Sequence, residues 1–146
     1  MVAGAHARLA RQLQAEGRRV VILSGGELTV TIRGNGRGGP NQEYALALAI
    51  ALESTSGIAG LAADTDGTDG GGGSAEDPAG AFVDGGTVSR AKELDKGLGL
   101  DPAAFLADND STGFFERAGG LLRPGPTFTN VNDFRAIVVD RPVQPA

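Results

Sequence analysis

The fold turns on Arg19-Val20-Val21-Ile22-Leu23-Ser24-Gly25-Gly26-Glu27-Leu28-Thr29-Val30-Thr31-Ile32-Arg33. Its first half is a β-branched run, which favours a strand. In its second half Leu28, Val30 and Ile32 alternate with Thr29 and Thr31, the period of a half-buried strand. Only Ser24-Gly25-Gly26 separates the two. A parallel crossover needs about a dozen residues or more, so the spacing predicts an antiparallel hairpin.

Working outward, residues 3–16 read as a helix with Leu9 and Leu13 on one face, stopped by Gly17. Residues 41–53 are rich in Ala and Leu and predict a buried helix capped by Asn41. Ile58 to Ala63 reads as a central strand, followed by a polar loop over 64–77 and a short strand at 81–83. A helix over 87–96 is capped by Thr87, and Asp101-Pro102 opens another helical turn. Asp110 or Ser111 caps a helix through Phe114, Phe115 and Arg117 that ends at Gly119-Gly120. An extended region starts at Leu121, a last strand covers 136–139, and the Pro-rich end is expected to fray. Strands interleaved with helices predict an α/β single domain with a mixed β-sheet flanked by helices.

Composition narrows the function classes. The chain has 146 residues, 40% hydrophobic and 21% charged, enough apolar content for a packed core. Its net charge of −5 argues against nucleic acid and anionic membrane surfaces as partners. The longest apolar run, Ala45 to Leu52, is far short of the roughly 20 residues that span a bilayer. No signal-peptide pattern opens the chain, so the expected location is cytoplasmic. The absence of cysteine excludes disulfides and thiolate chemistry, and His6 alone excludes a multi-histidine metal site within the chain. Glycine is the anomaly, at 24 residues, roughly twice the usual share of about 7%. The glycines cluster between apolar runs, which points to unusual backbone angles or close approach to a ligand.

Four polar strings carry chemical interest. Gly34-Asn35-Gly36-Arg37-Gly38-Gly39-Pro40-Asn41 lies before a helix, where backbone amides and the helix terminus favour an anion and Arg37 adds charge. It also fits G-x-G-x-x-G, although that fingerprint belongs in a parallel βαβ unit. Asp64-Thr65-Asp66-Gly67-Thr68-Asp69 gathers three carboxylates after a strand, a donor type that suits Mg²⁺. Asp108-Asn109-Asp110-Ser111 suits helix capping. Gly125-Pro126-Thr127-Phe128-Thr129-Asn130-Val131-Asn132-Asp133 presents hydroxyls and amides to a polar ligand. An anion cradle facing a carboxylate cluster is what phosphoryl transfer needs.

These strings, together with Leu23-Ser24-Gly25-Gly26-Glu27 and Asn41-Gln42-Glu43, resemble in order the MOFRL domain, the C-terminal domain of class II glycerate 2-kinases, a family often labelled hydroxypyruvate reductase. The resemblance implies phosphorylation of D-glycerate to 2-phosphoglycerate with ATP and Mg²⁺ as cofactors. It implies a glycerate-type small-molecule substrate and an N-terminal kinase domain or companion chain as partner, with the active site in the cleft between domains. A homo-oligomer is compatible with the sequence. Within the resemblance Arg37 and Asp66 are the expected catalytic residues. Gly36, Gly38, Gly39, Asn41, Gln42, Glu43, Thr127, Asn130, Asn132 and Asp133 bind substrate or phosphate, and Asp64, Asp66 and Asp69 bind the metal.

The chain departs from the family pattern at Pro40, where an Arg is usual, at Phe128, where a Gly is usual, and at Thr112, where an aromatic is usual. Two alternatives follow from the same residues: an NAD(P)H-dependent hydroxypyruvate reductase, and a ligand-binding remnant without catalysis.

Overall fold

The computed structural model describes residues 2–97 and 99–144. Its centre is the helix α2 (Pro40–Ala51), in which Asn41, Gln42 and all of Tyr44 to Ala49 are buried. Uniform burial is what an Ala/Leu helix without a polar stripe requires. Proline at its first position is preorganised for the helix and forfeits no intrahelical bond. Around it lie α1 (Val2–Ala15), α3 (Thr87–Asp95), α4 (Pro102–Ala107) and α5 (Ser111–Ala118). Phe114 meets Phe115 and Phe105 edge to face at 5.3 and 5.9 Å, filling the space between α4 and α5.

The sheet contains β1 (Val20–Gly26), β2 (Ile58–Asp64), β3 (Gly80–Asp84), β4 (Leu121–Leu122) and β5 (Asp133–Val139), in the order β1-β5-β2-β3-β4. The α/β domain with its sheet flanked by helices stands as expected. The expected mixture of strand directions does not, because every ladder among the described residues is antiparallel. One face carries Ile58, Ala62, Ala81, Val83, Ile137 and Val139 into the core. Gly60 lets β2 approach α2, since a Cβ there would sit 2.6 Å from Leu48 Cδ2. The other face leaves Val21, Leu23, Phe82, Phe134 and Val138 exposed.

The hairpin predicted over 19–33 is not formed. β1 runs straight through Ser24-Gly25-Gly26, in register with β5 from Val20↔Val139 to Gly26↔Asp133. The glycines are strand residues, and the chain leaves the sheet only at Gly26, with φ +98°. Residues 27–33 pair with no strand among the described residues, and they lie beside α2 and α4. The last strand starts at Asp133 rather than 136. The caps of α2 and α3 are Gly39 and Gly86, not Asn41 and Thr87. Asp101 and Asp110 do cap α4 and α5, accepting from the N–H groups of Ala103 and Gly113. Pro145 and Ala146 of the end expected to fray lie outside the described residues.

Candidate active site

The N-terminus of α2 has no side-chain cap of its own, because Gly39 supplies none. The cap comes from Asp69, 27 and 28 residues away in sequence. Its Oδ1 accepts from Asn41 N–H at 3.0 Å and its Oδ2 from Gln42 N–H at 2.8 Å. The side-chain amides of Asn41 and Gln42 donate to the same carboxylate at 3.1 and 3.0 Å. Burial pushes the Asp69 carboxyl above its ordinary value, and these four hydrogen bonds pull against that shift. Gly39 lies so close to Asp69 that no Cβ fits. The helix terminus proposed from sequence as an anion cradle is therefore already holding an anion of the chain itself.

The glycine loop before it is equally engaged. Gly34 N–H donates to Asn109 Oδ1 at 2.9 Å, Asn35 N–H to Asp108 Oδ1 at 3.1 Å, Gly36 N–H to Asp108 O at 2.9 Å and Arg37 N–H to Asp110 Oδ1 at 3.0 Å. The 108–111 string, expected to cap a helix, does so and clamps this loop as well. Asn109 adopts φ +56°, the left-handed region that Asn tolerates better than most residues, and its Nδ2 reaches Glu43 Oε2 at 3.1 Å. Among the described residues, Gly38 and Gly39 keep amides without a partner. The Arg37 guanidinium pairs with Glu116 at 2.6 Å on an exposed surface, and that hydrogen bond raises the arginine and lowers the glutamate.

The 34–41 and 64–77 loops meet, at Gly39 and Asp69-Gly70. Gly36 itself lies against Asp110, whereas Asp66 C=O accepts from Thr127 N–H at 3.3 Å. The three aspartates expected to bind a metal are not one set. Asp69 is committed to α2, and Asp64 sits beside Asp66, its Oδ1 accepting from the Asp66 N–H at 3.1 Å. Burial raises the Asp64 carboxyl, with the nearby Asp66 and Asp133 charges adding to the rise. No group of three or more His, Cys, Asp or Glu among the described residues is arranged to hold a metal ion.

Asp133, expected to touch substrate, is instead an interior residue. It accepts from Asn41 Nδ2 and from Leu28 N–H, both at 2.8 Å, and faces Arg135 at 3.6 Å. Thr127, Asn130 and Asn132 lie in an exposed loop held by Thr65, whose hydroxyl donates to Asn132 C=O at 2.7 Å and accepts from Val131 N–H at 2.8 Å.

The sequence reading missed Arg135. It is 4% exposed, donates through Nε to Ser24 Oγ at 3.0 Å, and stacks 5.5 Å above the Tyr44 ring. A lone cation inside the apolar run of β5 was the available signal, since a buried charge demands partners. His6 is half-buried with Nδ1 2.7 Å from the Tyr44 hydroxyl, and burial together with Arg135 lowers its pKa. A continuous polar spine thus runs from Asp69 through Asn41 and Asp133 to Arg135 and Tyr44.

The sequence profile of the MOFRL family matches residues 20–133. The chain belongs to the MOFRL family. A D-glycerate 2-kinase of Thermotoga maritima is 50% identical over 112 residues, 77% of this chain and 25% of that protein. A protein of Agrobacterium vitis with the provisional name hydroxypyruvate reductase is 48% identical over 121 residues, 82% of this chain and 26% of its own length. The crystal structure of a glycerate kinase from Thermotoga maritima superposes with a TM-score of 0.84 at 38% identity, covering 94% of this chain and 32% of that one. This MOFRL chain therefore spans about a quarter of the length of the curated relatives it matches. Among its described residues no helix is long and apolar enough to cross a membrane.

Proposed function

We propose that the chain is the C-terminal part of a glycerate 2-kinase, acting with an N-terminal companion domain or chain in the cytoplasm to phosphorylate D-glycerate at the expense of ATP. The observation that carries this reading is the likeness to a glycerate kinase over 94% of the chain. The free amides of Gly38 and Gly39 beside Arg37 suit a phosphate or a carboxylate. Thr127, Asn130 and Asn132 offer the exposed polar groups that would orient glycerate. Asp66 stands at the junction of its loop with Thr127. Asp69, Asn41, Gln42, Glu43 and Asp133 hold these loops in place. ATP supplies the phosphoryl group, and the work of this chain is to bind and position anions. Asp64, Asp66 and Asp69 do not fit a Mg²⁺ centre as one set, and no role is assigned to that ion.

The reductase alternative needs a parallel βαβ unit around G-x-G-x-x-G. β1 is antiparallel to its neighbour, and the glycine string follows an unpaired segment, so the geometry does not favour it.

The test is a chimera in which this chain replaces the matched part of the Thermotoga maritima D-glycerate 2-kinase. Transfer from ATP to D-glycerate is expected, and Arg37→Ala should lower kcat/KM by roughly 10- to 100-fold, the worth of a charged hydrogen bond. A folded chimera with no transfer would reject the kinase reading.

A further inference from the structure

The segment Glu27 to Arg33 has the composition of a strand and pairs with no strand among the described residues. It contains no turn or bend. Among the described residues its backbone meets only side chains. Leu28 N–H donates to Asp133 Oδ2, Arg33 N–H donates to Asn109 Oδ1, and Thr31 C=O accepts from Asn109 Nδ2. In extended backbone the N–H and C=O of one residue point to the same side and alternate along the chain. Asn109 therefore occupies the edge of Thr31 and Arg33; on the other edge Asp133 holds Leu28, and beyond it the backbone groups of Val30 and Ile32 have no partner among the described residues. Leu28 and Val30 line a groove of about 600 Å³ with Tyr44, Ala47 and Ile50 of α2 and Leu106 of α4. Ile32 is 81% exposed.

We infer that this segment accepts a β-strand from the companion domain of the kinase, with apolar side chains of that domain seated in the groove. The inference rests on the kinase reading for the existence of the companion. Three observations favour this occupant. An unpaired edge of alternating β-formers is a template for an added strand. The relatives are about four times as long as the stretch they share with this chain, so a large partner is at hand. The segment runs directly into Gly34 to Gly39, so a strand added here brings the companion onto the loop with the free amides, where a cleft between domains has to form. The open face of the sheet is also apolar, but β5 and β2 at its centre are paired on both sides and offer side chains alone, while the edge strand β1, paired with β5 only, leads directly into the segment.

The experiment compares amide exchange in the isolated chain and in the chimera. The Val30 and Ile32 amides should exchange on the order of 100-fold more slowly in the chimera. Val30→Pro removes one donor. In the chimera it should return Ile32 to fast exchange and reduce phosphate transfer, while in the isolated chain it leaves the unfolding midpoint unchanged because no ladder bond is lost. Phe82→Ser, on the open sheet face, should leave exchange at Val30 and Ile32 in the chimera as it was. Rapid exchange at both amides in a folded chimera overturns the inference. If the chimera does not unfold cooperatively, the same measurement at the aligned residues of the intact Thermotoga maritima protein decides. Slow exchange without phosphate transfer keeps the docking edge and rejects the kinase. Transfer with rapid exchange does the reverse.

Discussion

The loop before α2 and the loop before β5 are built from the same kinds of residue, yet the first is closed from Gly34 to Arg37 and the second is open. From Gly34 to Arg37 each backbone amide has a partner in the 108–110 string, and Asp69 closes the helix terminus behind them. From Thr127 to Asn132 every residue is exposed, and Phe128 is 98% exposed. Glycine and polar residues therefore mark a close approach in one place and an available surface in the other. What separates a ligand loop from a structural one is which donors remain free after the fold has taken its share.

The severest way to break the closed loop is Asp69→Ala. It removes the acceptor for two helix amides and two side-chain amides, all in the interior. The expected loss is about 3 kcal/mol, measured by urea unfolding, since several buried donors are left unpaired at once. A loss below about 1 kcal/mol, the lower range for a simple cap, would show that water replaces the carboxylate and that the terminus is open to ligands.

A smaller effect appears at high pH. Burial pushes the Tyr44 hydroxyl up to about 12 from an ordinary 10.0, with Arg135 pulling the other way. The unfolded chain then loses its proton first, and between these two values the folded chain binds more protons. Stability accordingly falls as pH rises through that window. Tyr44 is the only tyrosine and there is no tryptophan, so phenolate absorbance reports it without interference. The signal should stay absent until pH approaches 12 or the chain unfolds, and Tyr44→Phe should flatten the decline in stability. Ionisation near 10 in the folded chain would mean that the spine is solvated.

Much of this contrast was legible in the sequence. The Ala/Leu run from Asn41 announced a buried helix because no polar stripe interrupts it, and the strings at 34–41 and 64–77 announced loops that meet. The residues 27–33 misled, since alternation reports a strand-competent segment and not whether a partner strand lies in the same chain. Asp69 as the cap of α2 was invisible for a related reason: a sequence displays caps only within a few residues of a helix, and this cap arrives through tertiary structure. Asp133 looked like a ligand residue because its string is polar, yet it is the first residue of β5 and points inward with Arg135.

The smallest effect concerns the open loop. Phe128 has φ +59°, a left-handed conformation that costs a residue with a Cβ roughly 1 kcal/mol or more and costs glycine little. Its ring is almost wholly exposed, so nothing in the folded chain offsets that cost. Glycine at 128 also enlarges the entropy of the unfolded chain, which opposes the gain. The net expectation for Phe128→Gly is a stabilisation of a few tenths to about 1 kcal/mol in the isolated chain, read from the denaturant midpoint. In the chimera the same substitution removes the bulk of the ring from the loop of Thr127 and Asn130, and glycerate KM should fall if these residues orient the substrate. Unchanged KM with the expected gain in stability would make the 125–132 loop a structural turn, and the contrast between the two loops would then be one of exposure alone.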